Sequence, residues 1–266
     1  MRYERSGQPR LGRTPLYNTH VERSTHAPGA AARACAWGGA ALFVASLSYT
    51  LFSYDVTFRQ EITGPLTPAP VLWNTVLFSV FALHHSAFAR MGARDRIARR
   101  FPTLERSIYV WVASALLIVV CAWWQPLPGV MWRATGALAA VLDVLHIIGI
   151  VLAVASAAII DIWELAGIRQ VYPGFRAKSP EPKAHSPEFK TTGPYGLVRH
   201  PIYLGWFLIV FAVGTMTMTR FAFAVISSLY VLIAIPFEER SLLKTTAGSY
   251  ERYRQKVRFK LVPGVY

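Results

Sequence analysis

The chain has 266 residues, of which 53% are hydrophobic and 16% charged, a length that by itself would allow one or two soluble domains. The arrangement of the apolar residues excludes that reading, because several stretches of roughly 17 to 24 residues carry almost no charge, enough to cross a ~30 Å hydrocarbon core. A formal net charge of +14 raises nucleic acid as a partner, but the basic residues follow membrane topology, and no nucleic-acid function is expected.

In chain order, residues 1–33 are basic and polar and are interrupted by Pro9, Pro15 and Pro28, which predicts a disordered arm beside anionic lipid. Residues 34–266 form a single membrane domain, with spans expected at 34–54, 71–89, 107–124, 137–160, 202–219 and 221–237. The connection "RMGARDRIARRFPTLER" carries five arginines before Pro102 and reads as an interfacial helix. The polar, proline-rich loop 161–200 is long enough to be functional. The last two spans form a hairpin with "GTMTMTR" at its turn and "RHPIY" and "PFEER" at its open ends. In the tail, Tyr250, Tyr253 and Val257 recur at helical spacing among basic residues, as in a helix lying on the cytoplasmic surface. The expected fold is an all-α integral membrane protein of about six transmembrane helices, with a C-terminal helical hairpin and a cytoplasmic surface helix.

Of the 28 Lys and Arg residues, Arg59, Arg133 and Arg220 fall in the first, third and fifth connections; the other 25 lie in the tails and the second and fourth connections. This asymmetry places both termini in the cytoplasm. Cys35 and Cys121 are isolated, which makes neither a disulfide framework nor a metal site. No Cys or His set has ligand spacing, so no metal is expected.

One constellation carries chemistry. Tyr195, Arg199, His200, Tyr203, Glu238 and Glu239 meet at one membrane boundary when the hairpin closes. Pro201 suits the first turn of a helix, whose free N–H groups and positive dipole favour an anion. Glu238 and Glu239 add anionic acceptors, so a zwitterion with a carboxylate and an ammonium suits both halves. The same residue types also anchor helix ends among headgroups. Elsewhere, Asp143 and His146 lie three apart on one helical face, spacing that permits a mutual hydrogen bond. Asp161, Glu164, Arg169 and Gln170 lie toward the proposed ligand. No glycine-rich strand-to-helix fingerprint is present, so a nucleotide-binding soluble domain has no support.

The motif set "GPYGLVRHPIYLGW…EERSLL…AGSYERYRQKV" resembles the C-terminal signature of the isoprenylcysteine carboxyl methyltransferase and phospholipid methyltransferase superfamily. Upstream, "FALHHSAFAR", "ERSIYV", "QPLPGVMW" and "ELAGIRQVY" look like its bacterial methanethiol S-methyltransferase branch. The resemblance implies an enzyme of a bacterial inner membrane that uses S-adenosyl-L-methionine, held by about 187–260. It implies cofactor contacts at Phe189, Lys190, Tyr195, His200, Pro201, Ile202, Tyr203 and Glu238.

The implied partner is a small-molecule thiol or a lipophilic substrate met at membrane lipid, with methanethiol leading and dimethyl sulfide its product; the oligomeric state is left open. Prenylcysteine enzymes carry a substrate-binding arginine where this chain has Ala234, which disfavours that substrate. Phospholipid methylation is an alternative, and an NADPH-dependent sterol-type reductase is a rival outside methyl transfer, disfavoured by the paired carboxylates. A thiol reacts as thiolate, so the candidates for chemistry are His85 within "HHS", Arg199 and Glu239. His85 alternatively serves packing against a neighbouring helix.

Overall fold

The computed structural model describes residues 29–89, 97, 99–101, 103–172, 189, 191–246 and 248–265; most of the expected N-terminal arm and Lys190 lie outside these. The main elements are α1 (Ala30–Phe52), α2 (Pro68–Ala89), α3 (Glu105–Ala122), β1 (Val130–Arg133), α4 (Gly136–Ile160), α5 (Pro201–Phe211), β2 (Thr215–Thr217), α6 (Met218–Thr245) and α7 (Ser249–Lys256). α1 continues through a π-helical turn, Ser53–Thr57. Among the described residues, four helical segments are long and apolar enough to cross a membrane: Ala30–Thr57, Glu105–Ala122, Gly136–Ile160 and Met218–Thr245. The protein is an all-α membrane protein built around them, with α2 packed against α3 and α6.

The expected fifth span takes a different form. α5 has 11 residues, about 16 Å of helix, too short to cross alone. After Ala212 the chain leaves the helix and β2 pairs antiparallel with β1, aligning Trp132 with Met216 and Arg133 with Thr215. A helix that stops this early exposes carbonyls that lipid cannot satisfy. Distant side chains cap them: the Tyr54 hydroxyl donates to Val210 O, His146 Nδ1–H to Ile209 O at 2.8 Å, and Trp132 Nε1–H to Val213 O at 3.1 Å. His146 therefore does not serve the expected pair with Asp143; its Nε2 lies 3.4 Å from Asp55 Oδ2. Arg220 caps the end of α1 in turn, donating to Tyr54 O (2.8 Å) and Asp55 O (3.2 Å) as well as to Thr215 O (2.7 Å).

α4 and α5 pack closely because glycines meet. A Cβ on Gly205 would stand 2.7 Å from Gly149 O, and one on Gly149 would stand 2.8 Å from Gly205 O. Without a hydrophobic drive between helices in lipid, such backbone proximity is how packing energy is gained.

α6 has 28 residues and runs through Pro236, so Glu238 and Glu239 lie on a continuous helix rather than just past its end. α7 also departs from expectation. Tyr250, Tyr253 and Val257 are buried against Phe189, Leu242 and Leu243 instead of facing a membrane surface. The tail folds back because the carbonyls of Phe259 and Lys260 accept the N–H groups of Arg199 (2.9 Å) and His200 (3.0 Å).

Candidate active site

The site grows from the start of α5. His200 is the residue before the helix, Pro201 occupies its first turn, and among the described residues no side chain caps the N–H groups that follow. Those N–H groups carry the positive end of the helix dipole. The last turns of α6 face them with two carboxylates of unequal standing.

Glu239 is buried, and one of its oxygens is heavily engaged. Its Oε1 accepts from Arg199 Nε (2.7 Å) and the Tyr250 hydroxyl (3.0 Å), with His200 Nε2 at 3.3 Å. Arg199 Nη1 donates to the tail, to Val257 O (2.9 Å) and Arg258 O (2.5 Å). Glu238 is open: its side chain is 45% exposed against 9% for Glu239, and its Oε2 accepts from the Tyr203 hydroxyl at 2.9 Å. The His200 ring stacks on Tyr203 with centroids 5.4 Å apart, its Nδ1 3.8 Å from Glu238 Oε2.

An aromatic layer lies beside the carboxylates. Phe189 stacks on Tyr253 at 5.5 Å and meets Tyr250 edge-on at 5.1 Å. Tyr253 donates to Tyr195 O at 2.9 Å, tying α7 to the turn Pro194–Leu197. Burial pushes the Tyr253 phenol up to about 12 and raises those of Tyr195 and Tyr250 as well, so all three stay neutral at any ordinary pH.

His85 lies on a second wall. Its Nδ1 is 2.7 Å from the Tyr109 hydroxyl, and Arg106 stands over the Tyr109 ring at 4.9 Å. Arg106 donates to the carbonyls of Glu164 (3.3 Å) and Leu165 (3.5 Å), fastening α3 to the start of the long loop. In that loop Arg169 pairs with Asp161, and Gln170 donates to Glu164 at 3.0 Å, so these four bind one another.

The structure thus gathers Tyr195, Arg199, His200, Pro201, Ile202, Tyr203, Glu238 and Glu239 at one end of the bundle, with Phe189 beside them. It adds Tyr250 and Tyr109, which the sequence reading did not single out as site residues. Both sit inside quoted motifs, "SYERY" and "ERSIY", and that was the signal available.

Similarity to known proteins covers most of the chain. The chain is 34% identical over 231 residues to methanethiol S-methyltransferase 2 of Bradyrhizobium diazoefficiens, covering 85% of this chain and 87% of that protein. It is 36% identical over 226 residues to the methanethiol S-methyltransferase of Mycobacterium tuberculosis, covering 81% and 89%. The chain belongs to the methanethiol S-methyltransferase family. Within this site the two adjacent carboxylates differ, Glu239 buried and Glu238 open. Similarity also reaches Nurim of Xenopus laevis, 29% identical over 212 residues, covering 73% of this chain and 74% of that protein. No protein-family model and no solved structure matches the chain.

Proposed function

We propose that this chain transfers a methyl group from S-adenosylmethionine to methanethiol, giving dimethyl sulfide. The observation that carries the reading is the open Glu238 carboxylate facing the uncapped first turn of α5. That pairing suits the two charges of an amino-acid zwitterion, and family membership makes a methyl donor the zwitterion to expect. NADPH, with its phosphates, is poorly matched to a free carboxylate at this position.

Glu238 holds the ammonium, with Tyr203 fixing the rotamer of the carboxylate through its 2.9 Å hydrogen bond. The N–H groups of Ile202 and Tyr203 take the carboxylate at the positive end of the helix dipole, next to Arg199, whose Nε and Nη1 serve Glu239 and the tail. Phe189 and Tyr195 pack on the adenine. When bound, the donor supplies an electrophilic methyl on a sulfonium, and alignment with the acceptor contributes most of the rate.

His85 takes the thiol proton. In the tautomer that carries Nδ1–H, that group donates to the Tyr109 oxygen and Nε2 accepts the proton, and the thiolate sulfur forms its new bond to carbon as the sulfonium carbon–sulfur bond breaks. Arg199 and Glu239 act at one remove, as positioning groups that hold α5, α6 and the tail together. The site end faces the cytosol of a bacterial inner membrane, as the distribution of 25 of the 28 basic residues indicates.

Calorimetric titration of the detergent-purified protein with S-adenosylhomocysteine and with NADPH tests the pocket. The expected result is saturable binding of S-adenosylhomocysteine alone, weakened in Glu238→Gln; binding of NADPH alone would overturn it.

A further inference from the structure

A box of aromatic rings lies two turns deeper along α6 from Glu238, about 12 Å by helical rise. Tyr230 of α6 forms one wall, its ring centroid 6.0 Å from Phe78 and 6.4 Å from His85. Phe81 lies 5.6 Å from both Phe78 and His85, and Tyr109 closes the far side 5.7 Å from His85. These separations are contact distances for rings, so the box is tight.

Two polar atoms point to a use beyond packing. The Tyr230 hydroxyl lies 3.3 Å from Oγ of Ser86, the residue that follows His85 on α2. One hydrogen bond between two hydroxyls consumes one hydrogen and leaves the other for a partner. Tyr230 also belongs with Tyr203 to the cluster around Val231 and Ile235, so its ring borders the box on one side and the Glu238 neighbourhood on the other. A methyl donor anchored at Glu238 would extend either along this direction or away from it. Only along it does the methyl meet the side chain proposed to take the thiol proton.

We propose that Tyr230 determines acceptor specificity. Its ring closes the box so tightly that no acceptor larger than a methyl-sized thiol is admitted, and its hydroxyl, shared with Ser86, hydrogen-bonds the acceptor sulfur and stabilises the thiolate after the proton passes to His85. A longer alkyl chain meets the Tyr230 ring before its sulfur reaches the methyl. The inference rests on thiol methylation as proposed above and names the part of the site that selects the thiol.

The test uses the full chain in lipid nanodiscs with methyl-labelled donor and a series of methanethiol, ethanethiol and butanethiol, comparing wild type, Tyr230→Leu, Phe81→Leu and Tyr230→Phe. S-adenosylhomocysteine affinity is measured in parallel and reports folding of the cofactor site. Tyr230→Leu and Phe81→Leu open the box from opposite sides and are expected to raise the butanethiol-to-methanethiol ratio of kcat/KM by about tenfold or more, a typical value for a one-to-few-carbon change in an apolar pocket. Tyr230→Phe is expected to keep the wild-type ratio while lowering kcat on every thiol, since only the hydroxyl is lost. If either folded leucine variant keeps the wild-type ratio, or Tyr230→Phe turns over at the wild-type rate, the assignment is overturned. A wild type that binds S-adenosylhomocysteine yet methylates no thiol overturns the thiol reading itself, a different failure from an active wild type whose variants leave the ratio unmoved.

Discussion

Arg199 and Glu239, forty residues apart, form a buried ion pair with Nε 2.7 Å from Oε1, and the same arginine grips two carbonyls of the C-terminal tail. This pair joins the start of α5, the end of α6 and the returning tail at one point. Removing one partner leaves the other charge buried, which typically costs about 3–5 kcal/mol. Arg199→Ala is therefore expected to lower the thermal unfolding temperature of the purified protein clearly and to weaken S-adenosylhomocysteine binding as the tail loosens. Unchanged values for both would assign the pair no positioning role.

Glu238 differs from its neighbour in being half exposed, so its substitution leaves no buried charge unpaired. Glu238→Gln is expected to keep the unfolding transition within the range of surface substitutions, about ±0.5 kcal/mol. Its affinity for S-adenosylhomocysteine should fall by about 2–5 kcal/mol, the usual loss for one partner of a desolvated charge pair. Calorimetry alongside thermal melts separates the two effects.

His85→Ala is expected to lower the rate of thiol methylation by about 10²–10⁴-fold, the usual contribution of a positioned acid or base, with cofactor affinity unchanged. A parallel loss of both, read from kcat and from calorimetry, would return the ring to packing against Tyr109.

Gly205→Ala should force α4 and α5 apart, since the added Cβ meets Gly149 O at 2.7 Å and Ala153 N at 2.9 Å, both backbone atoms that cannot step aside. Overpacking of this kind costs about 1–3 kcal/mol. The thermal transition should drop accordingly, and methyl transfer should fall with it because α5 carries the cofactor end of the site.

Tyr195, Tyr250 and Tyr253 link the folded tail to the site with phenols whose ionisation burial has pushed upward, that of Tyr253 to about 12. A folded-state value raised above the ordinary ~10 means that the neutral form stabilises the fold. That contribution is complete below about pH 10 and is lost as pH climbs toward the folded-state values. Tyrosinate absorbance should therefore appear late and together with loss of S-adenosylhomocysteine binding, rather than at pH 10 with binding intact.

The parts legible in the sequence were local. Unbroken apolar runs made α1 and α4 visible, and "GPYGLVRHPIY" marked a helix start with charge around it. The truncation of α5 was not legible, because it depends on caps from Tyr54, His146 and Trp132, which lie on three other segments. Nor could two adjacent glutamates be told apart as letters. One residue of helical rotation turns Glu239 toward Arg199 and leaves Glu238 at the surface. In α7 the spacing of Tyr250 and Tyr253 identified an apolar face but not its partner, which turned out to be Phe189 and the end of α6.

The most direct measurement is headspace mass spectrometry after incubating the purified wild-type protein with methyl-labelled S-adenosylmethionine, methanethiol, a farnesylcysteine analogue and phosphatidylethanolamine together. The account predicts label in dimethyl sulfide and none above background in the other two acceptors. Label in farnesylcysteine ester or in methylated lipid, with no labelled thioether, would contradict it.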